Sequence, residues 1–166
     1  MTGLSSPAMD LVGYAAFVRL HHHGYEMYAH ARLGDGFLAV RVVAQVLCWV
    51  ELCWGVMLLG DPAAFTWRML RDAVTVARTG ARDSRADRLH RALPDRPADA
   101  VLLREGLGLA PRAAAALMGL DEPELYVQLK AAHRMLAGLG VARGAHGLGC
   151  GPGSGRGGGW GRGGGA

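Results

Sequence analysis

Apolar side chains recur at spacings of three and four residues along most of this chain, and that spacing predicts helices with one buried face. A first helix is predicted over about residues 10–33 and ends at the Gly-Asp-Gly break at 34–36, because glycines interrupt a helical pattern. A second, strongly apolar helix follows over about 37–58, and a third begins at Pro62, since proline fits the first turn of a helix. We assign these helices to a first domain, residues 8–81.

The composition of the chain changes near residue 80. Residues 82–93 are rich in charge and predict a linker, and residues 94–141 then contain three short helical segments that form a second predicted domain. Residues 142–166 are dominated by glycine and offer too little apolar surface to offset the entropy lost on ordering. The pattern therefore predicts an all-α protein of two small helical bundles with a disordered Gly-rich C-terminal tail.

The second predicted bundle has the spacing of a helix-turn-helix. Such a motif needs a small residue where its helices pack closely and, four residues later, a turn residue that tolerates a positive φ; Ala115 and Gly119 stand at these positions. Asp121 is suited to cap the second helix, and Pro123 fits its opening turn. The apolar residues expected to face the first helix are Leu120, Leu125 and Leu129. The same spacing also fits a plain helical hairpin with a glycine in its turn.

Charge adds a modest preference for a nucleic-acid partner. The chain has a formal net charge of +4 and a pI of about 9.3, and Lys130 is the only lysine among its 18 basic residues. Seven arginines but only three aspartates fall between residues 68 and 91. This basic stretch either contacts phosphates or is an ordinary solvated helix end and linker.

The segment from residue 93 to residue 138 resembles region 4 of bacterial sigma factors, particularly the compact extracytoplasmic-function type. In that family a Leu-Pro pair and spaced leucines lead into a Gly-centred helix-turn-helix. The residues that match this lead-in are Leu93, Pro94, Leu102, Leu103 and Leu107. The resemblance implies that the module reads the −35 promoter element. The side chains expected to contact DNA there are Arg112, Tyr126, Gln128, Lys130 and Arg134.

The first predicted domain is similar to region 2 of the same family. Its Gly-Asp break matches the one that precedes the helix docking on RNA polymerase, and residues 61–78 resemble the helix that melts and reads the −10 element. The resemblance assigns polymerase binding to Asp35, Val42, Val43, Gln45 and Val46. It assigns contacts with the −10 element to Trp67, Arg68, Arg71 and Arg78.

The first functional hypothesis is therefore a cytoplasmic, sigma-like transcription initiation factor. Its partners would be promoter DNA and core RNA polymerase, with an anti-sigma protein as a further partner. The family carries acids around the Val-Val step of its docking helix, whereas Arg41 precedes that step here and Ala44 and Gln45 follow it. That difference, together with the acids Asp121, Glu122 and Glu124 at the start of the second helix of the motif, supports a second hypothesis, a sigma-derived helical scaffold or regulator that binds a protein partner, or DNA alone, without initiating transcription.

Residues 37–60 raise a third hypothesis, a membrane-associated protein, because this segment is long and apolar. Arg41, Gln45 and Glu51 within it favour a buried core helix instead, so we expect no membrane span.

The histidines at 21–23 predict a solvated surface run rather than a metal site. The sequence has no nucleophile elbow, phosphate loop or paired-carboxylate motif, so we expect neither an enzyme nor a cofactor. Three sparse cysteines fit a reducing cytoplasm.

Overall fold

The computed structural model of the chain describes residues 7–78 and 85–138. Every regular element within these residues is helical, which confirms the predicted all-α class. The helices are α1 (Pro7–Leu33), α2 (Gly36–Leu52), α3 (Trp54–Met57), α4 (Pro62–Ala77), α5 (Arg85–Ala92), α6 (Asp95–Val101), the π-helical turn Leu102–Gly106 that extends α6, α7 (Pro111–Met118) and α8 (Glu122–Gly138). None of these described helices combines the length and the apolar character that crossing a membrane requires. The predicted tail at 142–166 lies outside the described residues.

Aspartates cap the N-termini of α2 and α4. The Asp35 carboxylate accepts the Leu38 N–H at 3.0 Å, and the Asp61 carboxylate accepts two N–H groups in the first turn of α4 at 2.9 and 3.2 Å. Such caps satisfy backbone donors that a helix N-terminus leaves unpaired. The break predicted at 34–36 and the helix start predicted at Pro62 are confirmed.

The first four helices bury a core on the inner faces of α1, α2 and α4. Tyr25 and Tyr28 of α1, Val43 of α2, and Leu70 and Val74 of α4 are all almost completely buried. Their spacing of three to four residues within each helix is the reason that periodicity predicts which face is inside. Burial of these side chains is the main source of stability for the bundle, since apolar burial is the dominant favourable term in folding.

Helices α5 and α6 join the second half of the chain to the same core. Residues 97–103 are all buried, and Ala86 and Leu93 of the predicted linker are buried as well. The buried apolar residues on both sides of that linker form one continuous cluster. The helices of the two predicted bundles therefore share a core. Residues 85–92, which fall within the predicted linker, form helix α5 because their apolar side packs on this core.

Two glycines allow helices from the two halves of the chain to approach closely. A Cβ atom on Gly24 would overlap the Leu117 side chain, and a Cβ atom on Gly119 would overlap the backbone of Ala64. Helix α1 therefore packs directly on α7, and the first turn of α4 packs directly on the turn that follows α7. This second contact places α4 beside the predicted helix-turn-helix.

Candidate nucleic-acid interface

Helices α7 and α8 are joined by a tight turn at Gly119. The Gly119 backbone is left-handed, with a φ of 64°, which glycine adopts without the strain that a Cβ atom would cause. The Leu120 N–H donates to the Ala115 carbonyl at 3.0 Å and the Gly119 N–H to the Ala116 carbonyl at 3.3 Å, as in a Schellman helix end. The positive φ predicted for Gly119 and the close packing predicted for Ala115 are confirmed.

Two acids at the start of α8 cap the helix. The Asp121 carboxylate accepts the Glu124 N–H at 2.7 Å, and the Glu124 carboxylate accepts the Asp121 N–H at 3.1 Å. This reciprocal capping box satisfies two backbone donors and fixes where α8 begins. The capping role predicted for Asp121 is confirmed. The role of Glu124 was not predicted, and the structure shows that both acids are engaged with the backbone.

Helix α8 has a buried side and an exposed side. The buried side packs on α6 and α7 and consists of Leu125, Leu129 and Ala132. On the exposed side, Tyr126, Lys130 and Arg134 follow one another at intervals of four residues and so form one stripe along the helix. We call Tyr126, Lys130 and Arg134 the α8 stripe. The structure thus brings together three of the five residues predicted to contact the −35 element.

The other two predicted contacts lie apart from the α8 stripe. Gln128 is half-buried and lies on a different side of α8, and Arg112 is exposed at the start of α7. Next to the stripe, the His133 ring lies 2.6 Å from the Glu105 carboxylate, which links α8 to the π-helical turn. The geometry therefore favours Arg112 over Gln128 as an additional contact, because Gln128 has less surface to offer.

Three of the four residues predicted to contact the −10 element are engaged within the protein. The Trp67 indole N–H donates to the buried Asp99 carboxylate at 3.2 Å, and the Arg71 guanidinium lies 3.6 Å from the same carboxylate. The Arg78 guanidinium donates to the Asp87 carboxylate at 2.7 Å. These side chains are occupied by internal partners, so α4 does not present them together to a ligand.

Asp99 is the centre of a buried polar cluster that joins α1, α4, α5 and α6. Its carboxylate is fully buried, accepts the Tyr28 hydroxyl at 2.8 Å and lies 2.8 Å from the His90 Nε2 atom. Trp67 and Arg71 complete the cluster. Burial, and then the charge of Asp99, raises the pKa of Tyr28 far above its ordinary value. The sequence pattern does not single out Asp99, because its partners are distributed over distant helices.

A basic cleft lies where α4 and α6 meet the turn after α7. The cleft has a volume of about 250 Å³, and its lining includes Arg68, Arg71 and Arg96, together with Leu120 of the turn and one acid, Asp61. Arg68 and Arg96 are exposed, whereas the buried Arg71 Nε atom has no hydrogen-bond partner among the described residues. Arg96 was not predicted, since only the fold brings the first turn of α6 next to α4.

The residues predicted to bind polymerase are divided between the core and the surface. Val42, Val43 and Val46 are buried, because they form the side of α2 that packs on α1 and α4. They are therefore core residues and not part of a docking surface. Asp35 and Gln45 are exposed, and Asp35 already accepts a backbone N–H as the cap of α2.

Comparisons with protein-family models, with curated proteins and with solved structures found no match to this chain. Within residues 7–78 and 85–138, histidine, cysteine and acidic side chains form no cluster that could hold a metal ion. The α8 stripe and the basic cleft are therefore the features of the described residues whose shape and charge point to a function.

Proposed function

We propose that this chain is a helix-turn-helix DNA-binding protein with α8 as its recognition helix. The observation that carries the proposal is the α8 stripe, in which one aromatic and two cationic side chains lie exposed beyond a glycine turn. An α-helix fits the major groove of DNA, and lysine and arginine donate to base edges and phosphates there. The acids Asp121, Glu122 and Glu124 stand at the start of α8, whereas its cations Lys130 and Arg134 lie further along the helix, so the charged residues of the stripe itself are both cations.

The basic cleft extends this surface. Leu120 lines the cleft and stands just before the capped start of α8, so Arg68 and Arg96 lie close to the helix that would enter the groove. Paired arginines bind phosphate oxygens strongly because their planar guanidinium groups offer several donors. In this arrangement α8 contacts bases and the phosphates beside the groove, and the cleft arginines add contacts with the DNA backbone that set the orientation of the protein.

The sigma-like hypothesis extends this proposal to promoter DNA and core RNA polymerase. Contacts with a −35 element would come from the α8 stripe and Arg112. Contacts with a −10 element would come from Arg68, since Trp67 and Arg71 are released only if the Asp99 cluster opens. A polymerase partner would meet the exposed side of α2, because the valines of its other side are buried.

A protein-binding scaffold is the second candidate function. The exposed side chains of α2 and of the segment after it favour this function, because Phe37 is 74 % and Leu59 is 88 % exposed. Large apolar patches on a protein surface commonly mark sites where a partner binds. This function is compatible with DNA binding, since α2 and α8 are separate elements of the fold.

Fluorescence anisotropy with a labelled pool of random-sequence duplex DNA tests the DNA-binding proposal. We expect the full chain to bind with a Kd on the order of 10⁻⁴–10⁻⁶ M at physiological salt, as non-specific DNA binding does. Lys130→Ala and Arg134→Ala should each weaken binding several-fold. Arg19→Ala is the matched control, because it removes an equal charge from an exposed position on α1. Equal losses in all three variants would contradict a specific role for α8.

A further inference from the structure

The exposed side of α2 is apolar along most of its length. Phe37, Val40, Ala44, Cys48 and Leu52 are exposed on this side, whereas the other side of the helix is buried in the core. We call these five residues the α2 face. An exposed apolar surface of this length costs solvation free energy in an isolated molecule, so it indicates an interface.

Two opposite charges stand at opposite ends of the α2 face. Arg41 lies near its N-terminal end and Glu51 near its C-terminal end, and neither forms an ion pair with any residue that the structure describes. The Arg41 guanidinium lies 5.8 Å from the centre of the Phe37 ring, which keeps the charge over the apolar surface. A complementary partner must therefore carry an acid and a base in the reverse order along its own helix.

A second copy of α2 in the antiparallel direction meets this requirement. We align the two antiparallel helices so that Val46 of one copy lies at the same height as Val46 of the other. Arg41 then lies opposite Glu51 of the partner subunit, because Arg41 and Glu51 are equally far from Val46 along the helix. A parallel copy would instead place like charges together. The sequence Phe37, Arg41, Ala44, Cys48, Glu51 advances in alternating steps of four and three residues, which is the seam spacing of two packed helices.

Side-chain size also fits the antiparallel arrangement. Ala44 lies opposite Cys48 of the partner subunit, and these small residues at the centre allow the helices to approach closely. Val40 and Leu52 border the seam on its two flanks, so that apolar side chains surround the central contact. Phe37 lies at the N-terminal end of the α2 face and so faces the segment that follows α2 in the partner subunit.

We propose that the chain forms a symmetric dimer in which the α2 faces of two copies pack antiparallel and Arg41 pairs with Glu51 of the partner subunit. Twofold symmetry makes each contact occur twice. A stable interface buries about 800 Å² on each partner, and further exposed apolar residues, Val56 and Leu59, follow shortly after α2. The dimer goes beyond the DNA-binding proposal and does not rest on it.

Sedimentation velocity of the full chain over a range of concentrations tests the dimer. We expect the wild-type chain to be dimeric at micromolar concentrations. Arg41→Glu and Glu51→Arg should each weaken the dimer by about tenfold or more, because each change sets like charges opposite one another twice. The double variant R41E/E51R should restore the wild-type affinity. Arg19→Glu, an exposed charge reversal on α1, is the matched control, and circular dichroism verifies that every variant is folded.

Oxidative cross-linking tests the orientation of the helices. Ala44→Cys should form a disulfide between Cys48 and the introduced thiol of the partner subunit, seen as a dimer on a non-reducing gel and mapped by mass spectrometry. The wild-type chain should form no disulfide between the two copies of Cys48. A monomer at all concentrations would overturn the proposal. A dimer that both single charge reversals leave unchanged would also overturn it.

Discussion

Two independent constraints require glycine at position 119. The φ of 64° lies in the left-handed region, where a Cβ atom costs about 1 kcal/mol. A Cβ atom would also overlap the backbone nitrogen of Ala64, and backbone cannot move aside as a flexible side chain can. Gly34 is subject to the first constraint alone, because its φ is 67° but a Cβ atom there would meet nothing within 4 Å.

Gly119→Ala should therefore destabilise the protein more than Gly34→Ala. We expect a loss of about 2–4 kcal/mol in the free energy of unfolding for Gly119→Ala, from backbone strain plus overpacking, and of about 1 kcal/mol for Gly34→Ala. Urea unfolding followed by circular dichroism measures both values. Equal losses at the two positions would show that the start of α4 does not pack on the turn.

His21 is buried, so the solvated surface run predicted for residues 21–23 is wrong at this position, and His21 is the clearest source of pH dependence within α1. Its ring centre lies 4.5 Å from that of Phe17 and 5.6 Å from that of Tyr25, on which it stacks. Burial lowers the pKa of His21 below its ordinary value of 6.5, against the opposing effect of Asp61. The folded protein then binds fewer protons than the unfolded chain between these two pKa values. The stability that the buried, neutral His21 ring contributes to the folded protein is therefore fully present above pH 6.5. It is lost as the pH falls from 6.5 to the lowered pKa of His21.

His21→Phe should reduce this dependence on pH. The variant keeps a ring between Phe17 and Tyr25 but cannot bind a proton, so its stability should fall less than that of the wild-type chain between about pH 7.5 and about pH 5.5. Urea unfolding at the two pH values provides the comparison. His23→Phe, at an exposed position, should keep the wild-type dependence. If His21→Phe also keeps the wild-type dependence of stability on pH, a group other than His21 causes that dependence.

At the scale of the helices, periodicity predicted where most elements lie, but not how they end. The helices predicted over about 10–33 and from Pro62 correspond to α1 and α4. The helix predicted over about 37–58 is two helices in the structure, because the backbone leaves the helical conformation at Cys53, with a φ of −102°. An apolar sequence carries no signal for such a local break, so the pattern could not predict it.

Helix α5 shows how a charged composition can hide a short helix. Half of residues 82–93 are charged, which favoured a linker, yet Ala86, Leu89 and Leu93 recur at helical spacing and pack on the core. The α8 stripe could be predicted because its residues lie on one helix. Arg96 and the buried Asp99 could not, since their surroundings are built from helices that are distant in sequence.

At the scale of the whole molecule, the Asp99 cluster joins the two predicted bundles. Its carboxylate receives donors from both halves of the chain, and the apolar core is continuous across them. Since neither half buries its inner surface alone, we expect the described residues to unfold as one cooperative unit.

Asp99→Asn tests this coupling. The amide is the same size as the carboxylate but brings a donor into a cluster of donors, so we expect a loss on the order of 3 kcal/mol in unfolding free energy. Asp72→Asn is the matched control, because the Asp72 side chain is exposed on α4 and forms no ion pair with any described residue.

Two probes of unfolding should report the same transition in the wild-type chain and in Asp99→Asn. Tryptophan fluorescence reports mainly on α2, α3 and α4, which contain the described tryptophans Trp49, Trp54 and Trp67, whereas circular dichroism reports on all helices. Separate transitions would show that the two predicted bundles are independent.

DNA binding through α8 is the central claim, and the salt dependence of that binding tests it most directly. We would measure the affinity for duplex DNA by anisotropy over a range of salt concentrations, for the wild-type chain, Lys130→Ala and Arg19→Ala. The logarithm of the association constant should fall linearly with the logarithm of the salt concentration. Lys130→Ala should reduce that slope by about 1, as the loss of one phosphate contact does, and Arg19→Ala should leave it unchanged. Binding that is absent at low salt, or a slope that Lys130→Ala does not alter, would contradict the account.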